Sequence, residues 1–217
     1  MLTYKELQKN EGIRTYIAAA DASLGALGYT EHSFGHVTKV AECAKYILKT
    51  LGHCEHEVEL VQIAALLHDI GNMINRKDHA QSGAVLAFQI LTELGFAPAD
   101  VALVVSAIGN HDETEGMPVN AVAAALILAD KSDVRRSRVR SQADFDIHDR
   151  VNYSVADSRL SISENKDAVT LYLTIDNRYS SVMEYFEIFL ERMLMCKKAA
   201  ATLGLQFHLI MNDQPMM

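Results

Sequence analysis

Cysteine is scarce and unpaired in this chain: Cys43, Cys54 and Cys196 are odd in number, and no two stand at CxxC spacing. This excludes a disulfide framework and argues against a thiolate zinc site, and it fits a reducing, cytoplasmic setting. Long apolar runs are missing too. The longest, Ile63–Leu67 and Ala121–Ala129, stop at histidine or acid, short of the roughly 18 residues that a membrane helix needs. The opening Met1–Lys9 is too polar for a secretory h-region. Low-complexity tracts and internal repeats are absent, which counts against disorder and solenoid architecture. Positive charge is in deficit, with 20 Lys and Arg against 28 Asp and Glu for a net −8. General affinity for nucleic acid or an anionic membrane is therefore not expected, although a local cation cluster can still hold a small anion. What the chain does have is histidine, nine of them in 217 residues.

The pattern predicts a mainly α protein with a change of texture near residue 150. Ser33 can cap a helix toward Leu51 whose apolar side carries Val37, Val40, Ala44, Ile47 and Leu48, and Gly52 ends it. A second helix is expected over Glu55–His68, with Gly71 just beyond its end. Asp78 can cap a third, running through Leu94 and Gly95. Pro98 fits the first turn of a fourth, to about Asn110, and Pro118 precedes a fifth over Val119 to about Arg136. Beyond 150 the segments Ser154–Ser163 and Val169–Asp176 read as strands joined by a turn at Glu164–Asp167. A long amphipathic helix over Ser180–Leu203, closed by Gly204, and a last strand over Leu205–Met211 complete the unit. Residues 1–150 are thus expected to form one helical domain and 151–217 a small α+β domain.

The chemistry concentrates at Ile63–Gly71, where a buried helix delivers His68 and Asp69 side by side at its end. Adjacent helical residues diverge by about 100°, so both reach one ion only where the helix ends or turns, as Gly71 would permit. Imidazole nitrogen with carboxylate oxygen suits a borderline divalent ion. Two other His-Asp pairs, His111-Asp112 and His148-Asp149, lack this apolar setting. His36 opens an apolar-faced helix, and Asp130 ends the run Ala121–Ala129.

The order His36, His68-Asp69, Asp130 on successive helices, with Leu67-His68-Asp69-Ile70-Gly71 and Ala129-Asp130-Lys131-Ser132-Asp133, resembles the HD-domain superfamily of metal-dependent phosphohydrolases. The likeness covers about residues 30–140 and none of the C-terminal unit. It implies an HD-domain helical bundle in which His36, His68, Asp69 and Asp130 hold a divalent metal (Fe, Mn, Zn, Mg, Co or Ni). His79 and His111 match positions that bind a second ion in HD-GYP phosphodiesterases and diadenosine tetraphosphate hydrolase-like proteins, with Asp69 bridging. The Gly-Tyr-Pro signature is absent, Asp112 stands where the HD-GYP pattern has a second histidine, and Asn72 replaces a lysine common after His-Asp-x-Gly.

The implied reaction is hydrolysis of a phosphoester or phosphoanhydride in a nucleotide or other small phosphorylated metabolite. Asp69 is then the essential carboxylate. Asp133 orients a ligand or activates water, and the catalytic set also includes Lys131. Substrate contacts are expected from Arg76, Lys77, Lys131 and Arg135, whereas Arg138 and Arg140 read as a solvated face. His32, His53, His56, His148 and His208 receive no role. Three alternatives stay open: a nucleotide-sensing HD module without catalysis, a dinuclear-iron oxygenase, and an interaction protein working through its C-terminal unit, with homodimerisation compatible.

Overall fold

The computed structural model describes residues 2–140 and 146–217. A single-turn helix α1 (Tyr4–Leu7) and a longer helix α2 (Glu11–Ala26) precede α3 (Phe34–Leu51). Helix α3 begins at Ser33, whose hydroxyl accepts from the Gly35 amide, and ends at Gly52, whose φ of 90° closes the helix in the left-handed region. Helix α4 (Glu55–Leu67) is buried along its entire second half, Leu60 through Leu67. A 3-10 turn at Ile70–Met73 follows, then α5 (His79–Glu93), α6 (Pro98–Gly109) with proline in its first turn, and α7 (Ala121–Ser132).

The second half of α4 and most of α7 form the centre because they are buried on every side. Val122 through Ala129 of α7 are all buried, and this helix packs on α3, α4 and α6. Alanines at 64, 65, 123, 124 and 125 let the neighbouring backbones approach closely, while Leu60, Ile63, Leu66 and Leu67 fill the remaining space. Each fully buried leucine here contributes roughly 2–5 kcal/mol against alanine. The charged groups at the ends of α4 and α7 are thereby carried deep into the molecule.

A short helix α8 (Ile147–Ser154) leads into β1 (Val155–Ile162), which pairs antiparallel with β2 (Ala168–Ile175) through a turn that holds Lys166 at φ 57°. Helix α9 (Val182–Thr202), opened by a Ser181/Glu184 capping box, crosses to β3 (Gln206–Met211), parallel to β2, and β4 (Gln214–Pro215) adds an edge. The sheet order is β1-β2-β3-β4. One cluster of buried apolar side chains runs through both the bundle and this sheet, from Tyr4 to Met211, and α9 packs directly on α7. Among the described residues no helix is long and apolar enough to cross a membrane.

Several sequence expectations need correcting. Helix α7 starts at Ala121 with Asn120 as its cap and ends at Ser132, so Lys131 and Arg135 are not one helical turn apart. Asp133 stands at the C-cap, with Arg135 in extended backbone beyond it. Asp78 occupies the cap position of α5 but with φ 57° and no capping hydrogen bond from its side chain. Gly71 is not needed for a left-handed turn, since its φ is not among the positive ones. A Cβ at Gly71 would instead collide with the His79 carbonyl oxygen and lie 2.6 Å from the Gly83 nitrogen, so close packing against α5 demands glycine there. Helices α1 and α2 open at Thr3 and Asn10, whose side chains accept from the amides of Glu6 and Ile13, whereas α8 and the two-residue strand β4 lie outside the elements expected from sequence.

Candidate metal centre

Three helix ends converge on one buried point. The first turn of α3 supplies His36, the end of α4 supplies His68 and Asp69, and the last turn of α7 supplies Asp130. The divergence of adjacent helical residues is resolved by termination: α4 stops at Leu67, and Asp69 (φ −100°, ψ 0°) starts the 3-10 turn. His36 Nε2 lies 3.3 Å from His68 Nε2, 3.6 Å from Asp69 Oδ2 and 3.2 Å from Asp130 Oδ1. His68 Nε2 lies 3.2 Å from Asp69 Oδ2 and 3.6 Å from Asp130 Oδ1. Two donors bound to one ion at about 2.1 Å stand roughly 3.0–3.4 Å apart, so this spacing fits a shared cation.

A second set adjoins the first through the other oxygen of Asp69. His79, at the start of α5, and His111, just past the end of α6, place their Nε2 atoms 3.2 Å apart. Asp69 Oδ1 is 3.6 Å from His79 Nε2 and 3.9 Å from His111 Nε2, and Asp112 Oδ1 is 3.9 Å from His79 Nε2. His36, His68 and Asp130, and likewise His68, Asp69 and His111, each bring three ligand atoms within 4.8 Å of one another.

The proton positions decide what the cluster can hold. Each of the four imidazoles places Nδ1 against an obligate acceptor: Asp133 Oδ2 at 2.8 Å for His36, and the carbonyls of Ala65, Arg76 and Ile108 at 2.7, 3.1 and 2.6 Å for His68, His79 and His111. Nδ1 must carry the proton, so Nε2 of each neutral ring offers a lone pair inward. In the first set four lone-pair atoms thus face one another, and among the described residues no hydrogen-bond donor other than those rings reaches them. Such an array requires a positive charge between its members. In the second set Asn72 Nδ2 donates to Asp69 Oδ1 at 2.9 Å, and Arg76 Nη1 lies 3.4 Å from His79 Nε2.

The surrounding residues hold this arrangement in place. Asn72 is buried and also bonds the Asp69 carbonyl, so the residue in the family's lysine position serves here to fix the carboxylate. Asp133, 1% exposed, sits behind His36 and is itself contacted by Lys39 at 3.0 Å and Arg135 at 2.9 Å. Lys131 is buried, with Nζ 2.9 Å from Asp130 Oδ2 and 2.5 Å from Glu113 Oε2. Burial resists ionisation of Asp130, yet Lys131 and the imidazoles hold its carboxyl well below the usual range. Burial likewise opposes charge on His68, but Asp69 and Asp130 outweigh it and push its pKa up to about 10. The carboxylates draw positive charge onto the ring when nothing else supplies it.

Burial depresses His32, His79 and His111, the last to about 3, with Arg138 adding to it at His32 and neighbouring imidazoles at His111, while Asp69 opposes it at His79 without reversing it. Their folded pKa values lie below the roughly 6.5 of an unfolded histidine. The stability they contribute is therefore present above pH 6.5 and lost as pH falls. His68 has the opposite sign and offsets at most one of the three. Metal-free protein is expected to lose thermal stability steadily from about pH 7 to pH 5. A melting temperature in chelator that stays flat over that range would contradict these environments.

The remaining expected site residues divide. Arg76 reaches the cluster and donates to Asn72 Oδ1 at 3.3 Å. Lys77 is exposed and lines an outer cavity of about 300 Å³ with Arg76, His79 and Asp112. Arg135 turns away, to Asp133, Ser137 and Glu31. The expectation that Arg138 lies on a solvated face is wrong: it is 5% exposed and donates to the carbonyls of Glu31 and Asp133 at 2.8 and 2.7 Å. Arg140 is exposed, bonded to the Tyr29 carbonyl.

Three residues with no site role expected from sequence line the space beside the cluster: His32, Arg138 and Arg192. A signal existed for Arg192. It stands three residues after Phe189 and four before Cys196, both buried, so helical periodicity turns it inward. His32 lay in an irregular segment before α3, where no periodicity operates.

Comparison with known proteins identifies the family of the segment in which these residues lie. Residues 33–142 match the model of the HD domain. An uncharacterized protein of Methanocaldococcus jannaschii is 28% identical over 172 residues, 68% of this chain, and the match spans 66% of that protein's length, under two thirds of it. The crystal structure of a predicted HD superfamily hydrolase from an uncultured Thermotogales bacterium is 28% identical and superposes with a TM-score of 0.47 over 62% of this chain and 75% of that one. With the family's segment spanning half of its length and carrying the convergent histidines and aspartates, this chain belongs to the HD domain family.

Proposed function

We propose that this chain is a metal-dependent phosphohydrolase that cleaves a phosphoester or phosphoanhydride of a nucleotide or another small phosphorylated metabolite. What carries this is the pair of inward lone-pair sets joined by the two oxygens of Asp69. In this assignment His36, His68, Asp69 and Asp130 hold one divalent ion. His79, His111 and Asp69 hold a second, with Asp112 in reach. Bound there, divalent cations supply Lewis-acid polarisation of a phosphoryl oxygen and ionise water near neutral pH. Water adds across the P–O bond: its oxygen joins phosphorus, and the leaving oxygen gains a proton.

The chain's own residues prepare that step. Asp133 accepts the hydrogen bond from the Nδ1–H of His36 and so fixes its tautomer and ring direction, a positioning role. Arg135 and Lys39 neutralise Asp133 from behind. Asn72 orients Asp69, and Lys131 offsets Asp130 while lining the space where a phosphate would sit. Arg76 and Lys77 stand at the outer mouth. The full set of inward ligands favours turnover over the sensing module, which has no need of every ligand.

Asp133→Asn leaves the volume unchanged but can present an amide to Nδ1, which disturbs the His36 tautomer. Metal affinity is expected to fall roughly 10–100-fold, as for other partners that orient a ligating histidine. Equal affinity in a chelator competition would remove Asp133 from the site. The activity itself is tested on metal-loaded protein with p-nitrophenyl phosphate, bis-p-nitrophenyl phosphate and a nucleotide panel. Loaded protein that releases no phosphate and opens no diester would refute a phosphohydrolase.

A further inference from the structure

Helix α9 lies outside the family's segment, yet Arg192 projects from it into the space shared by Asp69, His79, His111, Asp130 and Lys131. Its Nη2 is 3.6 Å from Glu113 Oε1, its guanidinium lies 4.3 Å over the Phe189 ring, and its buried Nε has no hydrogen-bond partner among the described residues. A buried donor without an acceptor is costly. Arg138, held rigidly by two carbonyls, and Arg76 line the same space. These three arginines also line an adjoining cavity of about 390 Å³, between the segment Leu27–His32 and helices α8 and α9. They form the wall between that cavity and the cluster. Among the described residues Asp69 and Asp130 make no ion pair with Arg192: Asp69 faces the imidazoles, and Asp130 faces the imidazoles and Lys131.

We propose that Arg192, with Arg138 and Arg76, is an anion clamp that holds the terminal phosphoryl group of the substrate beside the metal centre. The C-terminal α+β unit thereby completes the site. A planar guanidinium offers paired N–H donors that match two phosphoryl oxygens, and three of them suit a dianionic terminal phosphate better than a monoanionic diester. The cavity beyond leaves room for the organic part of a phosphate monoester. This assignment rests on the phosphohydrolase reading for its location, but it can fail separately.

The test uses the full chain and inorganic phosphate as probe, by calorimetric titration, with metal content and melting temperature measured alongside. Arg192→Met keeps an unbranched apolar stem while removing the guanidinium that lies over Phe189, and Arg192→Lys keeps a charge without the fork. Expected are wild-type metal content and melting temperature in both variants. Phosphate affinity should fall at least tenfold in Arg192→Met, with partial recovery in Arg192→Lys. Unchanged phosphate affinity in Arg192→Met, with metal content intact, overturns the clamp and leaves the metal centre standing. If the wild type takes up no metal, the phosphohydrolase reading fails. Arg192-dependent phosphate binding by that same metal-free protein would still support the clamp, and its absence would overturn it.

Discussion

Asp69→Ala is expected to lose bound metal and turnover together while keeping its helical content. Among the described residues Asp69 alone presents an oxygen to each lone-pair set, Oδ2 to His36 and His68 and Oδ1 to His79 and His111. Removing its carboxylate takes a ligand from both proposed ions and leaves Asn72 only the main-chain carbonyl as acceptor. Loss of the ions removes several kcal/mol of transition-state stabilisation, which corresponds to a rate loss of about 10³-fold or more. The fold should survive, because α4 and α7 are held by apolar burial and not by this carboxylate. Elemental analysis, a phosphate-release assay and circular dichroism on one preparation check all three parts. Wild-type turnover in Asp69→Ala would place the chemistry elsewhere.

Gly71→Ala is expected to destabilise the protein by about 3 kcal/mol or more, at or above the upper end of ordinary overpacking, because the obstructing atoms are backbone. The added methyl would run into the His79 carbonyl and the Gly83 amide nitrogen of α5 and the Ser82 hydroxyl. For a chain of this length that corresponds to a fall in melting temperature of roughly 6–12 °C. The sign is informative. If Gly71 served only chain flexibility, alanine at its ordinary φ would stabilise by about 0.4–1 kcal/mol. Metal affinity should weaken as well, since α5 carries His79 and the turn carries Asp69. A thermal melt within about 2 °C of wild type would contradict the close packing.

Much of this architecture is legible in the sequence because its signals are local. Ser33, Gly52, Pro98 and Gly204 punctuate helices where backbone chemistry requires it, and the runs Ile63–Leu67 and Ala121–Ala129 are apolar enough to be central. Histidine and aspartate at the ends of such runs stand out, since burying them without a partner is unfavourable. What escaped was set by tertiary contacts. The end of α7 at Ser132 depends on Asp133 being drawn to His36, 97 residues earlier. Arg138 is buried because carbonyls of Glu31 and Asp133 receive it, which no charge run can announce. Arg192 acquires a purpose only once α9 lies against α7.

The proposed chemistry turns on whether the two lone-pair sets hold divalent cations. This is decided by elemental analysis of protein purified without chelators, and again after reconstitution with iron, manganese and zinc in turn. Two equivalents per chain are expected, lost in Asp69→Ala. No bound metal with any of the three ions would contradict that chemistry.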